Sequence, residues 1–121
     1  MLYVLAVAED VWPSEWLRAI LWACVLQVVA DHGEAYGYQI AATLKERGLG
    51  VVGGGTLYPV LKRLEGDDLV TSEWRKGEAG PGRKFYRLTP RGRKEINDVE
   101  AEWTRFVEAT SSLFRSGGAG A

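Results

Sequence analysis

Between residues 56 and 63 stand a hydroxyl, a phenol and two adjacent cations: Thr56, Tyr58, Lys62 and Arg63. Hydroxyls and phenols donate to and accept from base edges and phosphate oxygens. A guanidinium can fork onto a guanine edge, and lysine neutralises phosphate as a point charge. For an isolated Lys62-Arg63 pair, an exposed solubilising role would be the better reading. A second basic group follows, however: Arg75-Lys76 and Arg83-Lys84 ring Gly77-Glu78-Ala79-Gly80-Pro81-Gly82, a run unable to form regular structure and suited to a hairpin tip. Enzyme chemistry finds much less support. His32 is the only histidine, placed beside Gly33 at an expected helix end, and Asp67-Asp68 fall in an expected turn. One Cys and one His cannot supply a closed thiolate or imidazole metal site, although a carboxylate site at an interface stays open. No cofactor is implied.

The position of the charge matters more than its total. The chain of 121 residues has a formal net charge of −1, which by itself argues against a nucleic-acid partner. Residues 56–94, however, hold ten basic and five acidic side chains, while the segments on either side are both net acidic. A phosphate backbone responds to the local field, so the basic middle is the relevant quantity. The 46% apolar and 26% charged composition suits one globular domain. Cys24, in an apolar run, reads as a buried inert thiol in a reducing cytoplasm. Residues 1–8 make a poor signal peptide, and the apolar run over 16–30 is broken by Arg18 and Gln27, so no membrane insertion is expected.

Several elements must position these side chains. A first helix is expected from Ser14 as N-cap, with Glu15 in its first turn, to about His32, with Gly33 as its stop. It is apolar on two faces, as if it had two partners. A second helix is expected from Tyr38 to Arg47, ended by Gly48. Leu49–Val52 could form a very short strand, and Gly53–Gly55 a loose connector. The third helix is expected to start at Thr56 as cap with Pro59 at its third position. Its buried edge would be Leu57, Val60, Leu61 and Leu64, leaving Thr56, Tyr58, Pro59, Lys62 and Arg63 near the opposite face. Leu69–Trp74 and Lys84–Leu88 read as strands. The fold class is α+β, mainly α: a winged helix-turn-helix over 14–89, with a C-terminal dimerisation helix over 90–115. Residues 1–13 form an extension, flexible or docking, and 116–121 a disordered tail.

Thr89-Pro90 would cap the last helix with proline at its preferred first position. In it Ile96, Val99, Trp103, Phe106, Thr110 and Leu113 recur at spacings of 3, 4, 3, 4 and 3, a heptad seam with one polar interruption. A homodimer seam joined by the first helix accounts for it economically; a strap over the chain's own core is the alternative.

Thr56-Leu57-Tyr58-Pro59, Leu61-Lys62-Arg63-Leu64-Glu65, Leu69-Val70, Ser72-Glu73-Trp74, Gly82-Arg83-Lys84-Phe85-Tyr86-Arg87-Leu88-Thr89 with Gly92, and Tyr36-Gly37-Tyr38-Gln39-Ile40 together resemble the PadR-like transcriptional regulators. The resemblance runs from about Ile20 to Leu113. It implies a dimeric winged helix, usually a repressor, on a palindromic operator in double-stranded DNA. By analogy Tyr38, Thr56, Tyr58, Lys62 and Arg63 would approach DNA, with Arg83 and Lys84 at the wing. In a multidrug-sensing branch a tryptophan of the last helix sandwiches flat aromatic compounds, and Trp103 stands at the matching place. A ligand held between the first and last helices, with Trp16 and Trp103 as candidate contacts, would change the spacing of the two recognition helices and release the DNA. At a heptad position a tryptophan such as Trp103 is more often plain interface core. The competing reading of the whole chain is a winged-helix protein-interaction module without DNA binding, which leaves the basic middle unexplained.

Overall fold

The computed structural model describes residues 12–77 and 80–120, with side chains to residue 116. The expected extension therefore lies almost wholly outside the described residues, apart from Trp12 and Pro13. Helix α1 is Ser14–His32, strand β1 Ala35–Tyr36, helix α2 Gly37–Glu46 and helix α3 Gly54–Gly66. Strands β2 (Val70–Arg75) and β3 (Arg83–Leu88) follow, and helix α4 (Pro90–Gly120) closes the chain. The three strands form one antiparallel sheet in the order β1-β3-β2.

Helix α1 is the centre of the domain. Leu21, Val25, Leu26, Val28 and Val29 are buried in one core with Ile40 and Leu44 of α2, Leu57, Leu61 and Leu64 of α3, and Val70 and Tyr86 of the sheet. The helix packs against α2, α3, α4 and the sheet. Its apolar second face is thus largely taken up within its own domain, and only the N-terminal part, with Trp16 57% exposed, is left outward. Cys24 is half-buried against the core, and burial raises its thiol pKa, consistent with an inert side chain.

Several element ends differ from expectation for local reasons. Pro13, not Ser14, is the N-cap of α1; Ser14 is the first helical residue and makes no capping hydrogen bond. The Trp12 indole instead fixes the helix entry by donating to the Gly48 carbonyl at 2.8 Å. Residues 49–52 form no strand; the short strand is Ala35–Tyr36, and Val52 is a core residue. Helix α3 begins at Gly54, capped by Gly53, so Thr56 is its third residue and not its cap. The backbone N–H groups of Thr56 and Leu57 both donate to the Gly53 carbonyl, at 3.0 and 2.9 Å. Two glycines in a first turn are poor helix formers, but the burial of Leu57, Leu61 and Leu64 outweighs their propensity. Pro59 then lies inside the helix, at its sixth position, where it deprives the Gly55 carbonyl of its intrahelical donor. Both residues are exposed, so water can satisfy that carbonyl.

Helices α2 and α3 end alike. Leu49 donates back to Leu44 and Gly48 to Lys45; Leu69 donates back to Leu64 and Asp68 to Glu65. The residues making these turns, Gly48 and Asp68, have φ of 93° and 60°. Thr89 caps α4 as expected: its Oγ1 accepts from Gly92 N–H at 2.9 Å and donates to the Asp68 carbonyl at 2.7 Å. The same cap ties the start of α4 to the end of α3. Gly92 is required there, because an added Cβ would strike the Leu69 carbonyl oxygen. Ile96 is buried in the monomer's own core, so the exposed seam of α4 begins further along. Beyond it Trp103, Phe106, Val107, Leu113 and Phe114 are exposed, from 36% at Trp103 to 81% at Phe114. The helix itself continues to Gly120, past the end expected at 115.

Candidate nucleic-acid interface

Helix α3 stands beside the β2–β3 hairpin, and a groove of about 590 Å³ runs between them. Tyr58 and Lys62, one helical turn apart, line it from α3; Trp74, Arg83 and Lys84 line it from the hairpin. Tyr36 and Gly37, at the start of α2, close one end. Tyr58 is half exposed, and its ring lies across Gly37: a Cβ there would overlap the Tyr58 hydroxyl and sit 2.7 Å from Cζ. Gly37 is therefore glycine because a phenol occupies the space of its side chain. Tyr38, the next residue, is 76% exposed at the N-terminus of α2.

The outward side chains of α3 divide into two flanks. Thr56 and Arg63 lie on the far side from the hairpin, in a second groove against Leu17, Arg18, Leu21 and Trp22 of α1. Tyr58 and Lys62 face the hairpin. Pro59 lies between them, so the helix presents a convex edge with polar or charged groups on both shoulders.

Ion pairs sort the cations of the hairpin. Arg75 forks onto Glu34 with Nη1 and Nη2 at 2.8 and 2.7 Å, and Arg87 reaches the same carboxylate at 2.9 Å. These hydrogen bonds hold the Glu34 carboxyl at a pKa of about 2 and raise that of Arg75. Lys84 lies 3.5 Å from Glu65 of α3, whose other oxygen accepts from Ser72 at 2.6 Å. Lys84 is therefore a brace between hairpin and helix as well as a groove residue. Burial, followed by the nearby Glu65 and Tyr58, raises the pKa of the Tyr86 phenol beneath this brace. Among the described residues, Lys62, Arg63 and Arg83 have no acidic partner within 4 Å. The +5 read from residues 56–94 is therefore partly cancelled by Glu34, which lies outside that segment.

Three residues of this arrangement escape a reading of the sequence for chemistry. Trp74 reads only as a strand residue, yet it is 69% exposed in the groove. Its place follows from alternation, since Val70, Ser72 and Trp74 share one face of β2. Glu34 and Tyr36 give no local signal, because their partners are 41 to 53 residues away. Among the described residues, no group of three or more His, Cys, Asp or Glu side chains is placed to hold a metal ion. Nor is any helix among them long and apolar enough to cross a membrane.

A helix pair followed by a hairpin, with the second helix of the pair presented beside that hairpin, defines a winged helix-turn-helix domain. Residues 25–98 match the transcriptional regulator PadR-like family, and the chain belongs to that family. It is 39% identical over 84 residues, 69% of this chain and 76% of the relative, to the transcriptional regulator Rv3488 of Mycobacterium tuberculosis. A PadR-like transcription factor from Bacteroides fragilis has a similar structure, with a TM-score of 0.71 and 36% identity over 83% of this chain and 95% of that one. A PadR-like transcriptional regulator from Bacillus cereus gives a TM-score of 0.73 at 26% identity, covering 83% and 96% of the two chains. The protein is accordingly a transcriptional regulator and not an enzyme.

Proposed function

We propose that the chain works as a homodimer that binds a palindromic operator through α3 and the hairpin, and represses transcription until a ligand or another signal releases it. The observation that carries the reading is the shared groove in which Tyr58 and Lys62 of α3 face Arg83 of the hairpin. Inserted in a major groove, α3 would offer Tyr58 and Lys62 on one shoulder and Thr56 and Arg63 on the other. Tyr38 would reach the backbone from the start of α2, and Arg83 and Lys84 would reach it from the wing. Dimerisation through α4 is supported by Trp103, Phe106, Val107, Leu113 and Phe114, which a single chain leaves uncovered. Val99 lies between this patch and the buried Ile96 and would begin the interface. Two copies joined this way would set their α3 helices into successive major grooves, about 34 Å apart.

Release fits an aromatic effector seated where α1 and α4 meet across the dimer, with Trp16 and Trp103 as its contacts. Trp103 already lies beside Phe106, ring centroids 5.7 Å apart, which makes an aromatic wall for a planar ligand. Gel shift on DNA upstream of the chain's own gene tests the DNA half of the reading. Lys62→Ala with Arg63→Ala should abolish the shift and leave the dimer intact; an unchanged shift would refute it.

A further inference from the structure

A row of charged and aromatic groups crosses the outer side of the sheet and ends at the groove. Glu34 holds the Arg75 guanidinium from two oxygens. Arg75 lies over the Phe85 ring, 4.4 Å from its centroid. Phe85 meets the Tyr36 ring edge to face, 5.2 Å away at 66°. The last member is Arg83, whose guanidinium lies 4.5 Å from the Tyr36 centroid and donates from Nη1 to the Tyr36 hydroxyl at 3.2 Å. One end of the row is clamped by a forked ion pair; the other is an arginine with no acidic partner among the described residues, lining the groove.

An arginine on a hairpin edge ordinarily has many rotamers, and ordering them at binding costs affinity. Here the Tyr36 ring and hydroxyl already constrain two features of the guanidinium, its position over the ring and one of its N–H donors. The Tyr36 backbone N–H is in turn held by Gln39 Oε1 at 3.2 Å, at the N-terminus of α2. The wing's cation is therefore set against the helix pair itself and not only against its own hairpin.

We propose that Tyr36 is a positioning residue for DNA binding, which pre-orients Arg83 toward the phosphate it neutralises. This rests on the DNA-binding reading above. Tyr36 touches no DNA in this account; it acts only through Arg83.

A double-mutant cycle measured by fluorescence anisotropy tests the inference, with a labelled duplex from upstream of the chain's own gene titrated at several salt concentrations. Tyr36→Leu leaves an apolar side chain beside Phe85 and removes both ring and hydroxyl, while Tyr36→Phe keeps the ring. Arg83→Ala should weaken binding about tenfold and reduce the salt slope by about one for each subunit's lost contact. Tyr36→Leu should weaken it about five-fold in the wild-type background and by less than about two-fold in the Arg83→Ala background. Tyr36→Phe should recover most of the affinity. An equal loss from Tyr36→Leu in both backgrounds would overturn the inference, because Tyr36 would then act independently of Arg83. So would an Arg83→Ala protein that binds like wild type while Lys62→Ala with Arg63→Ala does not bind; that outcome would leave the DNA-binding reading standing. If all of these variants, the Lys62/Arg63 pair included, bind like wild type, both fail together.

Discussion

The phenol of Tyr58 occupies the volume that a side chain at Gly37 would need, so α3 and the start of α2 meet through one ring and one missing Cβ. This contact sets the direction of Tyr58 and hence the shape of the groove in front of α3. Gly37→Ala should therefore move the ring. Tyr58 is half exposed and can swing outward, so the fold should survive with a melting temperature within a few degrees of wild type. Operator affinity should fall about tenfold, a change of about 1.4 kcal/mol. Thermal melting and anisotropy on the same sample check both halves of this prediction.

Gly92 meets backbone in place of a mobile ring. A Cβ at this position would strike the Leu69 carbonyl oxygen and lie 3.0 Å from its carbon. Nothing there can swing aside without shifting the junction of α3, β2 and α4. Gly92→Ala should cost about 2 kcal/mol or more, despite the better helix propensity of alanine. Denaturant unfolding should show the midpoint lowered with an unchanged slope.

The Glu34 cluster predicts an acid dependence. Its carboxyl is held at about 2, below the usual 4.5, by hydrogen bonds from Arg75 and then Arg87. The folded state thus favours the ionised form more than the unfolded state does. The stabilisation is fully present above about pH 4.5 and is lost as pH falls toward 2. A Glu34→Gln variant should melt below wild type at neutral pH, and the gap should close between about pH 4.5 and 2. A gap that stays constant across this range would show that the carboxylate charge is not what stabilises the cluster.

Trp103, Phe106 and Leu113 are exposed on α4, beyond the part that packs on the core. Phe106→Asp with Leu113→Asp should leave the monomer fold unchanged by circular dichroism. Sedimentation should show dimer converted to monomer, and operator binding should be lost with it. A variant that remains dimeric would place the interface elsewhere.

The readable parts of the fold were those governed by neighbours in the chain. The Thr89 cap, the Gly33 and Gly48 stops and the Leu57, Leu61 and Leu64 edge all follow from patterns spanning a turn or two. Sequence patterns place the start of helix α3 three residues late because its first turn is glycine, and only the tertiary burial of Leu57 and its partners reveals that it is helical. Tyr58, Lys62 and Arg83, singled out by residue type, share one groove. Which cations are free was not legible. Glu34 claims Arg75 and Arg87 from across the sheet, and Glu65 braces Lys84; no local spacing encodes these pairings.

Salt-dependent binding decides whether α3 contacts DNA through its outward cations. Anisotropy titrations of the upstream duplex, from about 50 to 200 mM salt, should give a steep linear fall of log affinity with log salt for wild type. Lys62→Ala with Arg63→Ala should abolish specific binding and flatten the residual slope while dimer and melting temperature persist. Wild-type affinity and slope in that variant would contradict the account.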